Sequence, residues 1–88
     1  MDKENVAKSL VSIFNRLGFQ SVASENPILN RNLNKIGWLV KVTAQENDVR
    51  DVLASSGFIY DRQRKTWSRR GFGSFKIKSV GSSTIIFI

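Results

Sequence analysis

Five basic side chains fall within nine positions of the segment DRQRKTWSRR, residues 61 to 70, and two lysines follow shortly after. Guanidinium and ammonium groups bind phosphate oxygens, and arginine can do so through two parallel hydrogen bonds. Phe72 lies between two glycines, where its ring could stack on an unpaired base. The candidate nucleic-acid-binding residues are Arg62, Arg64, Lys65, Arg69, Arg70, Phe72, Lys76 and Lys78.

The charge of the chain is strongly segregated. All seven acidic residues lie in residues 1 to 61, where seven basic residues balance them, whereas residues 62 to 88 hold seven basic residues and no acid. The whole net charge of +7 therefore comes from the last third of the sequence. Such segregation is typical of a polyanion-binding face, although a basic surface that serves only solvation stays an alternative.

Several kinds of chemistry are excluded by composition. Without cysteine or histidine, the chain can form no disulfide, no thiolate or imidazole metal site and no nucleophile–histidine pair. Asp48 and Asp51 are three residues apart in a predicted helix, a spacing that also fits an ordinary solvated surface. We therefore expect a protein that is not an enzyme and that needs no cofactor.

Two helices are predicted in the first two thirds of the chain. In the first, Asp2 is a candidate N-cap and Gly18 a candidate C-terminal residue, and a short strand follows over residues 19 to 23. The second helix has a T-x-x-E capping box at Thr43 and Glu46 and ends at Gly57. The apolar residues of the first helix have a period near 3.6 and are Val6, Leu10, Ile13, Phe14 and Leu17.

The remaining segments predict strands and one long loop. Residues 37 to 43 alternate as a strand does, residues 24 to 35 form a flexible asparagine-rich loop, and the segments after Gly57 read as four short strands. We expect one domain over residues 1–88 with the order α-β-β-α-β-β-β-β. Its class is α+β, with two helices packed on one face of a mostly antiparallel sheet.

The apolar C-terminal strand, Ile85 to Ile88, must be protected from edge pairing. It is either central in the sheet or paired with a partner, so we expect a monomer or a dimer through this strand. In the preceding strand, Lys76 and Lys78 share one face and Phe75 and Ile77 the other. Antiparallel neighbours should then gather the basic side chains into a stripe.

Two resemblances involve the basic region. The stretch GFIYDRQRKTW, residues 57 to 67, is similar to a Gly-Phe-x-Tyr-Asp-x-x-x-Lys-x-Trp helix–hairpin module of DNA- and RNA-processing proteins, and the likeness spans residues 37 to 70. RGFGSFKI, residues 70 to 77, resembles the RNP1 motif of RNA-recognition domains in its first four positions. Ser74 and Ile77 replace aromatic residues on which that motif depends, so we treat this second match as coincidental.

These observations predict a small basic nucleic-acid-binding protein that grips the phosphate backbone through its C-terminal β-hairpin region. Binding should be weakly sequence-specific, because no helix is basic enough to read a major groove. The β-face and the Gly-Phe-Gly turn slightly favour RNA or single-stranded DNA. The alternative is an accessory protein of phage or mobile-element type that binds an acidic or nucleoprotein partner and modulates a larger host enzyme. No segment resembles a secretory signal or a membrane span, so we expect a cytoplasmic location and no membrane association.

Overall fold

The computed structural model describes residues 1–26 and 37–88. Residues 27 to 35 of the expected loop lie outside the described residues. Ser24 to Asn26 belong to a strand, so the loop prediction is wrong for these three residues. The elements in chain order are α1 (Lys3–Arg16), β1 (Ser21–Asn26), β2 (Gly37–Val42), α2 (Glu46–Ser55), β3 (Ile59–Asp61), β4 (Thr66–Arg69), β5 (Gly73–Val80) and β6 (Ser83–Phe87).

The six strands form one antiparallel sheet in the order β1-β2-β6-β5-β4-β3. This arrangement confirms the predicted α+β class and the order of elements. The C-terminal strand β6 is central, with β2 on one side and β5 on the other. Because neither edge of β6 is free, the alternative in which this strand pairs with a second molecule is wrong.

Helix α1 begins and ends where its sequence predicts. The Asp2 carboxylate accepts a hydrogen bond from the Asn5 amide at 2.8 Å, and Gly18 adopts a φ of 91° just past the end. The expected apolar stripe is shorter than predicted, because Leu17 caps the helix and is 55% exposed. The residues that α1 buries against the sheet are Val6, Ala7, Leu10 and Phe14.

Helix α2 begins without the predicted capping box. Its N-cap is Gln45, and Glu46 is its first residue rather than its third. The amide of Thr43 donates to Gln20 O at 2.9 Å, which extends the β1–β2 ladder past Val42 and keeps Thr43 away from the helix end. The Glu46 carboxylate instead accepts from Arg50 Nε at 3.2 Å and from Ser79 Oγ at 3.4 Å.

Both helices pack on the same face of the sheet. Val49, Val52 and Leu53 of α2 are buried with the inward residues of α1 and with the alternate residues of the strands. Two polar contacts fix this layer, because Thr84 Oγ1 donates to Ala44 O at 2.9 Å and Asn15 Oδ1 accepts from the Ser21 amide at 3.1 Å. No described helix is long and apolar enough to span a bilayer.

Candidate nucleic-acid interface

The loop of the β3–β4 hairpin presents three of the predicted basic residues. The Asp61 carboxylate accepts from the amides of Gln63 and Arg64 at 2.9 and 3.1 Å, which closes the turn, and Lys65 completes it with a φ of 58°. Arg62, Arg64 and Lys65 are all exposed, and we call this group the hairpin tip. The ion pairs among the described residues are Lys8–Glu4 and Arg50–Glu46, so the tip cations have no carboxylate partner there.

Arg69 and Phe72 lie on the other side of the sheet from the predicted stripe. The register pairs Arg69 with Gly73 and Trp67 with Phe75, so Arg69 projects toward the face that the helices cover. Its guanidinium carbon is 5.7 Å from the centre of the Phe58 ring and 5.2 Å from that of Phe72. The expectation that the basic residues form one stripe is therefore wrong, because strand alternation separates Arg69 from its neighbours.

Phe72 packs against the core rather than projecting from its turn. Its ring meets that of Phe58 edge to face, with the centroids 5.0 Å apart and the planes at 74°. It is half-buried, and Arg69 covers part of its remaining surface. Arg70, the next basic residue along the turn, is exposed.

The face of the sheet away from the helices, which we call the open face, carries the other two predicted lysines. Lys76 and Lys78 alternate with the inward residues Phe75 and Ile77, as the sequence predicts. Cross-strand pairing places them in two rows with residues from β6, β2 and β1. The first row consists of Val22, Lys41, Ile85 and Lys78. The second row, next to it, consists of Ser24, Leu39, Phe87 and Lys76.

Lys41 is the basic residue of this face that sequence reasoning missed. It lies opposite Ile85, which in turn lies opposite Lys78. Two strand spacings therefore separate Lys41 from Lys78, about 10 Å, and Lys76 is about 7 Å from Lys78 along β5. The alternation of β2 indicates that Lys41 points away from the core, but only the pairing of β2 with β6 brings it to the other two lysines.

Acidic residues are nearly absent from the open face. Glu25 is the only acidic residue in the strands β1, β2, β4, β5 and β6, and it pairs with Trp38 on the helix-covered side. The carboxylate of Asp61, at the end of the edge strand β3, accepts the two amide hydrogen bonds that close the hairpin turn. The open face is therefore positively charged at β2 and β5, the two strands that flank β6.

Helix α2, on the opposite side of the molecule, is acidic. Helix α2 contains Glu46, Asp48 and Asp51 but only one basic residue, Arg50, which pairs with Glu46. The negative charge of this helix is thus separated from the lysines by the thickness of the sheet. The open face and helix α2 therefore carry charges of opposite sign.

A shallow groove lies between the C-terminal ends of the two helices. It has a volume of about 270 Å³ and is lined by Ile13, Arg16, Leu17, Ser56 and Arg69. Its two arginines form no ion pair with a described acidic residue. Within residues 1–26 and 37–88, no three acidic side chains come together in a way that could hold a metal ion.

No protein-family model matches this chain, and no curated protein or solved structure is significantly similar to it.

Proposed function

We propose that this protein binds nucleic acid through phosphate contacts on the open face and the hairpin tip. The observation that carries the proposal is the placement of Lys41, Lys76 and Lys78 on one face whose strands present no carboxylate beside them. Unpaired ammonium groups at this density attract a polyphosphate backbone and release its counterions. The hairpin tip adds three guanidinium or ammonium groups at the β3–β4 end of the sheet.

Weak sequence specificity follows from the same geometry. Phosphate contacts position a protein on nucleic acid but carry no base code. Helix α2 is acidic, which does not suit a helix that reads a major groove. We therefore propose that the protein binds the nucleic-acid backbone and does not recognise a defined base sequence.

The test measures the affinity for fluorescent single- and double-stranded DNA and RNA over a series of salt concentrations. It is made on the unaltered protein and on two triple variants. The open-face variant is Lys41→Ala, Lys76→Ala and Lys78→Ala. The control removes the same charge from the helix side through Lys3→Ala, Lys8→Ala and Arg16→Ala. We expect the log–log salt slope of the open-face variant to become shallower by about 2, since each lost contact removes about 0.7–0.9.

The control variant should keep most of the slope, because its charges lie away from the open face. Equal losses in both variants would mean that net charge alone attracts the ligand. No binding by the unaltered protein, even at low salt, would overturn the proposal itself.

The groove between the helix ends supports a second candidate, a docking site for an acidic segment of a partner protein. Leu17 is 55% exposed beside half-buried Ile13, and Arg16 and Arg69 flank this apolar floor. A peptide with one leucine between glutamates would complement both features. Such a site would fit the accessory-protein alternative and would act independently of the open face.

The second candidate is tested by titrating such a peptide into isotopically labelled protein. Amide signals around Leu17 and Ser56 should shift, and a matched peptide with lysines in place of the glutamates should leave them unchanged. Equal shifts with both peptides, or none with either, would remove this candidate without affecting the nucleic-acid proposal.

A further inference from the structure

The open face carries apolar surface that phosphate binding does not use. Phe87 is 39% exposed, Val22 58% and Val80 52%, and Leu39 and Ile85 between them are half-buried. The helices cover only the other face of the sheet. Phosphate groups gain nothing from such side chains, so the ligand of this face should itself have an apolar component.

Phe87 ends the central strand β6 on this surface. Leu39 and Lys76 are its direct partners on the two neighbouring strands. Lys41 and Lys78 lie on the diagonals, with Cα atoms about 7–8 Å away by the geometry of paired strands. The position of Phe87 on this face is thus bordered by three lysines and by two aliphatic residues, Leu39 and Ile85.

A ligand that suits this arrangement must present flat apolar groups and negative charges together. A duplex presents its phosphates but keeps its bases stacked inside, so it would leave the Phe87 ring uncovered. A second copy of this chain would bring a like set of lysines against the first, and like charges across an interface oppose association. A single strand exposes base faces and phosphates at once.

We infer that the open face is a single-strand site in which a base stacks on Phe87 and the flanking phosphates contact Lys41, Lys76 and Lys78. This inference rests on the proposed function and adds to it the preference for unpaired bases. The apolar surface of Leu39 and Ile85 extends the platform along the neighbouring rows. Base stacking is sequence-tolerant because every base has an aromatic face, so the site agrees with a general grip on the backbone.

The experiment compares an ordinary oligonucleotide of about 12 residues, within the usual range of single-strand sites, with an abasic one of the same length and charge. The unaltered protein should bind the ordinary strand about tenfold more tightly, since one stacked base contributes a factor of about 5 to 150 in affinity. Phe87→Leu should remove this difference and leave abasic affinity unchanged, and Phe87→Trp should keep it. The same comparison is made with RNA and with DNA strands, because both present base faces and phosphates, and it shows which of the two the site prefers.

The results separate this inference from the proposed function. If the unaltered protein binds both strands equally well, or if Phe87→Leu keeps the full preference for bases, the stacking site is overturned while phosphate binding stands. If neither strand binds, the proposed function fails and the inference with it. Thermal melting of each variant establishes that it is folded, and Phe87→Leu keeps an apolar side chain opposite Leu39.

Discussion

The guanidinium carbon of Arg69 lies 5.2 Å from the centre of the Phe72 ring, on the helix-covered side of the sheet. Both residues have the types expected at a phosphate and base site, and Arg69 is exposed, as are the neighbouring Arg70 and Gly73. Their contact with each other and with Phe58 instead gives them a packing role at the end of the core. Position in the strand register, more than residue type, separates them from the open face.

The first prediction concerns Phe72→Ala. Removing a half-buried ring that packs edge to face on Phe58 should lower the free energy of unfolding by about 2 kcal/mol. Ile59→Ala is the control, because Ile59 is 72% exposed and its truncation should change stability by less than about 0.5 kcal/mol. Urea unfolding measures both. Unchanged stability with lost single-strand affinity would instead assign Phe72 to the binding surface.

The second prediction compares neighbouring residues of the central strand. Ile86 is fully buried, so Ile86→Asp places an unpaired carboxylate in the core and should leave the chain unfolded at room temperature. Ile85→Asp lies on the open face among lysines and should keep the fold. Thermal melting followed by circular dichroism distinguishes them. Similar melting of the two variants would contradict the register of β6.

Much of the fold could be predicted because its signals are local. The cap at Asp2, the left-handed glycine after α1 and the alternation of β2 depend on residues that are close in sequence. The capping box at Thr43 failed because a contact with Gln20, twenty-three positions earlier, decided the conformation of that residue. Local patterns cannot include such long-range competition.

The site was harder to predict because it depends on strand order. Lys76 and Lys78 were identified from their alternation, but Lys41 joins them only because β6 lies between β2 and β5. The same strand places Phe87 next to Lys76, although the two residues lie eleven positions apart. The apolar C-terminal strand was one indication of this strand order in the sequence. A strand of this kind lies at the centre of a sheet because both of its edges are then paired.

The third prediction concerns the conformation of the hairpin turn. Lys65 has a φ of 58°, a left-handed conformation that costs a residue with a Cβ about 1 kcal/mol relative to glycine. Lys65→Gly and Lys65→Ala both remove the charge, so the difference in stability between them reports the backbone conformation alone. We expect the glycine variant to melt at a higher temperature than the alanine variant. The reverse order would show that the turn does not hold this conformation in solution.

The fourth prediction separates charge from packing within the basic region. Arg62→Ala, Arg64→Ala and Lys65→Ala remove exposed side chains, so the tip variant should keep nearly all stability and bind with a salt slope shallower by about 2. Arg69→Ala should instead lower the free energy of unfolding by about 1 kcal/mol through its two ring contacts, with the salt slope almost unchanged. Urea unfolding and the salt series are measured on both variants. A much shallower salt slope in Arg69→Ala would mean that the Arg69 guanidinium leaves the two rings to contact phosphate. Arg69 would then belong to the binding surface, as the sequence predicted.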